Sequence, residues 1–192
     1  LATEQMVLGQ RFLAPPGSFF QVQREQAGTL VRLVLDWLQP QPDDFALDAY
    51  CGVGLFTVFL APRVQGVWGI ETDAAAVQAA GENLARAGML NAMFTTGKVE
   101  EVLPAAMQQE PPPRLNIAVL DPPRAGCAAR FLDALAAAGP RRIAYVSCEP
   151  STLARDLRYL QERGYRTVAV WPVDMFPQTY HIEAVAGLER SG

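Results

Sequence analysis

One cysteine stands where a predicted strand ends and a predicted helix begins. Cys148 follows the apolar run 142–147, and Pro150 suits the first position of the next helix. The unpaired N–H groups and the macrodipole of a helix N-terminus favour a thiolate over a thiol. Cys148 is therefore a candidate nucleophile. The alternative is a small buried hydrophobe, which is the interpretation given to Cys51 and Cys127.

A glycine turn follows an earlier strand. Gly52 and Gly54 come after the short apolar run 46–50 and before the apolar helix 55–60. Strand, glycine turn and helix form the start of a Rossmann-like unit, although a glycine pair alone is a weak sign of a ligand loop. Thr57 stands where a dinucleotide fingerprint has its third glycine, which argues against a dehydrogenase.

Two carboxylates follow the next strands of the same pattern. Glu71 ends the run 67–70 and can accept hydrogen bonds from both ribose hydroxyls of an adenosyl group without a pyrophosphate. Asp121 ends the run 116–120, and the two prolines after it stiffen the chain and fix the direction of its carboxylate. Arg124 is a permanently charged donor for a phosphate or a uracil carbonyl. The alternatives are an exposed strand-end charge at Glu71 and a rigid loop after Asp121.

Alternating strands and helices are expected to position these groups. The pattern predicts an α/β fold with a mostly parallel seven-stranded sheet, helices on both faces and an antiparallel last strand, because a loop without a helix precedes that strand. In open α/β sheets, ligands bind outside the carboxyl ends of the strands, where the candidate groups collect. The predicted strands are 46–50, 67–70, 92–96, 116–120, 142–147, 165–171 and 182–188; the predicted helices are one that ends at 39, then 55–60, 74–87, 100–108, 128–138 and one from 150 to the glycine at 164.

The composition indicates one globular domain without a membrane span or a metal. Half of the 192 residues are apolar, enough for one sizeable core, and the apolar run 53–61 is too short to cross a bilayer. Three cysteines at unrelated spacings and a single histidine, His181, argue against a disulfide framework and against zinc or haem. We therefore expect a cytoplasmic protein.

Positive charge is concentrated in one segment. The net charge is −4, yet residues 114–166 hold nine arginines against five acidic residues. A bound polyanion is expected to lie against this segment. The alternative is a solvated helix face.

Six motifs, in their order along the chain, resemble the RNA 5-methyluridine methyltransferase family. The resemblance implies a Rossmann-like class I methyltransferase fold, S-adenosyl-L-methionine as cofactor and methylation of uridine C5 in tRNA or rRNA. It also implies a catalytic domain over 18–192 after an N-terminal lead-in, 1–17. The motifs are Phe19-Phe-Gln-Val, Leu47-Asp-Ala-Tyr-Cys-Gly-Val-Gly-Leu-Phe-Thr57, Gly69-Ile-Glu71, Asp121-Pro-Pro-Arg-Ala-Gly126, Tyr145-Val-Ser-Cys-Glu-Pro-Ser-Thr-Leu-Ala-Arg-Asp156 and Asp174-Met-Phe-Pro-Gln-Thr-Tyr-His-Ile-Glu183.

The resemblance also assigns roles to single residues. Cys148 matches the nucleophile that adds to uracil C6, and Glu183 matches the general base that removes the C5 proton. Phe19 and Arg124 are expected to contact the target base, which is reached in a loop or flipped from its stack. The candidate cofactor-binding residues are Gln21, Tyr50, Gly52, Gly54, Glu71 and Asp121.

Three residues depart from the family pattern. Gln23 and Glu149 stand where asparagine is usual, and Lys98 stands where an acidic residue often meets the adenine. The family usually also carries an N-terminal RNA-binding domain. Without that domain, this chain is expected to bind RNA weakly.

Two other functions stay open at this point. An amino-group methyltransferase acting on nucleic acid would also use Asp-Pro-Pro, but an aromatic residue normally follows, where this chain has Arg124. That function would leave Cys148 without a role. A non-catalytic module that binds S-adenosyl-L-methionine or RNA would show cofactor binding without methyl transfer.

Overall fold

The computed structural model describes residues 2–18, 24–173 and 183–192 as a hairpin followed by a seven-stranded sheet flanked by helices. None of the helices in these ranges is long and apolar enough to cross a membrane. The strands are β1 (Thr3–Val7), β2 (Gln10–Ala14), β3 (Phe45–Ala49), β4 (Gly66–Glu71), β5 (Ala92–Thr96), β6 (Ile117–Leu120), β7 (Arg142–Ser147), β8 (Tyr165–Val173) and β9 (Glu183–Arg190). The helices are α1 (Arg24–Leu38), α2 (Leu55–Leu60), α3 (Ala74–Arg86), α4 (Val99–Ala106), α5 (Ala129–Ala138) and α6 (Pro150–Gln161).

The strand order in the sheet is β5-β4-β3-β6-β7-β9-β8. The pairs among β3 to β7 are all parallel, and β9 is antiparallel to both of its neighbours. The α/β class and the antiparallel last strand predicted from the sequence are therefore confirmed. The sequence pattern did not place β9 between β7 and β8.

Two apolar layers cover the sheet. Helices α1 to α3 pack on one face, where Leu30 and Leu60 are fully buried, and α4 to α6 pack on the other, where Leu103 and Phe131 are fully buried. Strands β3 and β6 lie in the middle of the sheet and are buried on both faces. Because the two layers fix the strands, the loops at the carboxyl ends of these strands start from fixed positions.

The N-terminal residues form a hairpin, to which the sequence pattern assigned no element. Strands β1 and β2 pair in antiparallel fashion, and the ring of Phe12 lies 6.0 Å from that of Phe59 in the main core. The turn between the strands uses Leu8 at φ +47° before Gly9. A leucine at positive φ is rare, and the strands bury only some of their residues, so neither the turn nor the strands gave a clear signal.

Asn83 on α3 joins this hairpin to the glycine turn after β3. The Asn83 side chain is buried and accepts a hydrogen bond from the Leu13 N–H at 2.8 Å. Its amide group donates to the carbonyls of Leu13 and Val53, each at 3.0 Å. One side chain therefore fixes β2 and the glycine turn relative to α3.

Replacement of Asn83 by leucine is expected to lower the free energy of unfolding by about 2–3 kcal/mol, because buried backbone groups of Leu13 and Val53 lose their partners. Urea titration measures the change. Gln78→Leu on the same helix removes an exposed contact with Glu82 and serves as the control, with an expected effect within about 0.5 kcal/mol. Equal losses in the two variants would contradict the role of Asn83.

Candidate active site

A cavity of about 660 Å³ opens at the carboxyl edge of the sheet. Loops after β3, β4, β5, β6 and β7 line it together with the first residue of β9, as expected for an open α/β sheet. A second depression, of about 800 Å³, lies beside α1 and holds Arg32, Asp36 and Arg63 but no carboxyl end of a strand of the seven-stranded sheet. We therefore take the first cavity as the site. The candidate residues that line it are Tyr50, Gly52, Glu71, Asp121, Arg124, Cys148 and Glu183.

Glu71 holds the glycine turn against the end of β4. One of its carboxylate oxygens accepts from the Gly52 N–H at 3.0 Å, and the other accepts from the N–H groups of Thr72 at 2.8 Å and Asp73 at 3.0 Å. Three backbone donors thus fix the direction of the carboxylate in the cavity wall. Glu71 therefore lies in the cavity wall, and its role toward a ribose stays a prediction.

The two glycines of the turn do different things. Gly52 has φ +53°, and no atom lies within 4 Å of the position where a Cβ would stand, so the backbone is open to a ligand. Gly54 has φ +85° and packs against Ala80 on α3, where an added Cβ would come within 3.2 Å of the Ala80 Cβ. Gly54 is absent from the cavity lining, so it shapes the turn from behind and does not offer a contact surface.

A buried carboxylate beneath the turn was missed in the sequence. Asp48 on β3 is fully buried, and one of its oxygens accepts from the Thr57 hydroxyl at 2.6 Å and from the Thr57 N–H at 2.9 Å. Burial raises the pKa of Asp48 to about 7, the hydrogen bonds from Thr57 act in the opposite direction, and the charge of Glu71 adds to the rise. A charged residue inside an apolar run was the available signal, since buried aspartates are nearly always paired.

The stability of the chain is expected to depend on Asp48 between about pH 4 and pH 7. The pKa in the folded state, about 7, lies above the ordinary value of 3.8, so across this window the folded chain keeps a proton that the unfolded chain releases. Stability therefore falls as the pH rises, by up to about 1.4 kcal/mol per pH unit from this group. Urea titrations across the window are expected to show a flatter pH dependence for Asp48→Asn than for the unchanged chain. An identical dependence in both proteins would refute this.

Tyr50 and Asp121 form adjoining parts of the cavity wall. Tyr50 has φ +60°, a conformation that residues other than glycine seldom adopt, and its ring meets Phe131 edge-on at 5.8 Å. Burial raises the pKa of the Asp121 carboxyl well above its usual range, and the charges of Glu183, Asp48 and Glu71 add to the effect. The free site therefore crowds carboxylates together and favours a positively charged ligand group.

Cys148 and Glu183 lie beside each other because of sheet register. In the antiparallel pair of β7 and β9, Ser147 is opposite Ala184, so the residue after one strand meets the first residue of the other. Cys148 is half-buried and Glu183 is buried, and both line the cavity. The predicted nucleophile and the predicted base thus share one wall.

The thiol of Cys148 does not have the lowered pKa expected from its place before a helix. Burial raises its pKa, with Glu183 and then Asp121 adding to the rise, while the Arg124 guanidinium lowers it. The N-terminus of α6 is already capped by Glu149, whose carboxylate accepts from the Ser151 N–H at 3.3 Å. Burial and the two carboxylates in the cavity therefore outweigh the effect of the helix N-terminus on the thiol.

Of the remaining residues singled out in the sequence, Lys98 lies in the cavity wall and several others lie outside the described residues. Lys98 lines the cavity with an exposed side chain, 3.8 Å from Glu101. Phe19, Gln21, Gln23 and the segment 174–182, which includes His181, lie outside the described residues. Within the described part of the chain, no three His, Cys, Asp or Glu side chains are grouped to hold a metal ion.

The arginine-rich segment mostly stabilises the fold. Arg141 pairs with Asp44 at 2.6 Å, Arg155 binds Asp156 at 3.0 Å, and Arg163 pairs with Asp133. These guanidinium groups are held by carboxylates of the chain itself. The prediction that a polyanion lies against residues 114–166 therefore rests mainly on other exposed side chains, such as Arg130.

Solved structures identify the fold class. Precorrin-6y C5,15-methyltransferase from Geobacter metallireducens shares the fold alone, with a TM-score of 0.71 at 13% identity over 93% of this chain and 95% of that one. The tRNA (uracil-54, C5)-methyltransferase from Pyrococcus abyssi, solved in complex with S-adenosyl-L-homocysteine, has a TM-score of 0.82 at 34% identity over 97% of this chain and 44% of that one. The chain has the Rossmann-like class I methyltransferase fold.

Sequence comparison narrows the class to one family. A profile described as tRNA (uracil-5-)-methyltransferase matches residues 6–191. An uncharacterized RNA methyltransferase from Oceanobacillus iheyensis is 46% identical over 177 residues, or 92% of this chain and 38% of the relative. Another from Gloeobacter violaceus is 43% identical over 188 residues, or 98% and 40%. The chain belongs to the tRNA (uracil-5-)-methyltransferase family and spans about two fifths of the length of these curated relatives.

Proposed function

We propose that this chain is the catalytic domain of an S-adenosyl-L-methionine-dependent methyltransferase that adds a methyl group to C5 of a uridine in tRNA or rRNA. The observation that carries the proposal is the pairing of Cys148 with Glu183 in the wall of a cavity that also contains the glycine turn. A thiol and a carboxylate are the two groups that this reaction needs.

The cavity residues fit the cofactor. Glu71 presents a fixed carboxylate next to the open backbone of Gly52, which suits ribose hydroxyls. The carboxylates of Glu71, Asp121 and Glu183 favour the positive charges of a sulfonium and an ammonium group. When bound, S-adenosyl-L-methionine supplies an electrophilic methyl group.

The chain's own residues would carry the rest of the reaction. The Cys148 thiolate would add to C6 of the uracil and turn the ring into an enolate. C5 of this enolate would then accept the methyl group, with S-adenosyl-L-homocysteine as the leaving group. Glu183 removes the remaining C5 proton, after which the C6–S bond breaks and the thiolate is released. Arg124, which lowers the pKa of Cys148, opposes the charges of Glu183 and Asp121 at the nucleophile. A bound sulfonium would act in the same direction as Arg124.

Separate replacement of Cys148 and of Glu183 is expected to distinguish addition to C6 from removal of the C5 proton. Glu183→Gln is expected to accumulate a covalent RNA adduct, because addition and methylation proceed without removal of the C5 proton. Cys148→Ala is expected to form no adduct and to lose methyl transfer by at least about 10³-fold, the scale set by removal of a catalytic nucleophile. Denaturing gels with labelled RNA measure the adduct.

Cys127→Ala is the matched control for these variants, because Cys127 is buried and does not itself line the cavity. It is expected to keep adduct formation and methyl transfer. An adduct in Cys148→Ala would refute the covalent mechanism.

The RNA class and the methylated atom are tested together. Methyl transfer from labelled S-adenosyl-L-methionine into separated tRNA and rRNA fractions, with the labelled nucleoside identified, is expected to give 5-methyluridine in one fraction. A product methylated on an exocyclic amino group would favour the amino-group methyltransferase. Cofactor binding without transfer into either fraction would favour the non-catalytic module.

A further inference from the structure

The loop that carries Arg124 is tied to the helix that begins just after Cys148. Thr152 on α6 donates its hydroxyl hydrogen to the Arg124 carbonyl at 2.9 Å. Arg155 on the same helix donates to the carbonyls of Ala125 at 2.9 Å and Cys127 at 3.4 Å. Consecutive turns of α6 thus hold the loop backbone at Arg124, Ala125 and Cys127.

Asp156 completes this attachment from inside the protein. The residue is 1% exposed, and one side-chain oxygen accepts from the Cys127 N–H at 2.8 Å and from the Tyr145 hydroxyl at 2.6 Å. The other oxygen accepts from Arg155 Nε at 3.0 Å, which orients that guanidinium toward the loop. A buried carboxylate with this many donors is fixed in place.

Gly126 lets the loop come this close to the helix. It has φ +75°, and an added Cβ would lie 2.6 Å from Arg155 Nη2 and 2.7 Å from an oxygen of Asp156. Any side chain at this position would push the loop away from both residues. The loop and α6 are therefore built to fit each other.

We propose that Arg155 and Asp156 are positioning residues for the reaction: they hold the Arg124 loop on the helix after Cys148, so that the guanidinium stays beside the nucleophile. This inference rests on the proposed role of Cys148 as nucleophile. Arg155 and Asp156 lie outside the cavity lining, whereas Arg124 and Cys148 belong to it, so the effect passes through the loop.

The charges around the thiol make the position of Arg124 important. Glu183 and Asp121 face Cys148 and oppose its ionisation, and Arg124 is the cation that acts against them. Because Coulomb energy falls with distance, an outward movement of the loop would weaken the effect of the Arg124 charge on the thiol. The two carboxylates would then suppress ionisation of Cys148 more strongly. The thiolate fraction of Cys148 therefore reports where Arg124 lies.

Arg155→Leu tests the proposal, with Arg158→Leu as the matched control. Both arginines lie on α6 and are more than half exposed, and each substitution removes one positive charge, but Arg158 pairs with Glu162 and not with the loop. The measurement is the rate of Cys148 alkylation by iodoacetamide against pH, resolved by peptide mass spectrometry, without cofactor or RNA.

In Arg155→Leu the pH profile is expected to move upward and the rate near pH 8 to fall roughly three- to tenfold, as the thiolate fraction falls with a higher pKa. Arg158→Leu is expected to match the unchanged chain, and S-adenosyl-L-homocysteine affinity is expected to be the same in all three proteins. An Arg155→Leu profile that superposes on that of the unchanged chain would overturn the proposal.

Thr152→Val provides a second variant if Arg155→Leu does not fold. It keeps the side-chain volume and removes the hydrogen bond to the Arg124 carbonyl, with an expected fall in alkylation rate of roughly two- to threefold. A folded Thr152→Val with an unchanged profile would count against the proposal. Alkylation of Cys148 needs no turnover, so it tests the positioning role separately from methyl transfer. If the unchanged chain methylates no RNA, the proposed function fails, but the alkylation profiles still decide whether Arg155 positions the Arg124 loop.

Discussion

The antiparallel pairing of β9 with β7 is the contact on which the site depends. β9 enters the sheet between β7 and β8 and runs against β7, so the start of one strand meets the end of the other. A carboxylate and a thiol far apart in the sequence thereby become neighbours without a loop that reaches across the sheet. Because β7 and β9 are largely buried on both faces, a shift in their register would disrupt the core, and the spacing of the pair is as fixed as the core itself.

The electrostatics of the free cavity oppose the ionisation of Cys148. Burial raises the pKa of the Cys148 thiol, and the charges of Glu183 and then Asp121 raise it further. Under the proposed function this is a form of control, because the thiol becomes fully reactive only when positive charge enters the cavity. A cysteine that stays protonated in the free protein is also less open to oxidation, since the thiolate is the reactive form.

The hydrophobic pattern predicted the strands of the sheet and hence the residues at their ends, because burial on two faces leaves a strong signal in short apolar runs. It gave no sign of the hairpin, whose turn depends on Leu8 at positive φ. The thiolate prediction for Cys148 was wrong because it used only the local helix, whereas Glu183 comes from a distant strand and Glu149 already caps that helix. Asp48 was missed because its partner, Thr57, was interpreted only as a missing glycine.

The hydrogen bond between Thr57 and Asp48 limits how this turn could be converted into a dinucleotide-binding turn. A glycine at position 57 would complete the spacing of a dinucleotide fingerprint, but it would also remove the hydroxyl that donates to one oxygen of a fully buried carboxylate. The two positions therefore have to change together. A path of single substitutions from this turn toward a dinucleotide site, whether in the laboratory or in evolution, passes through a less stable intermediate.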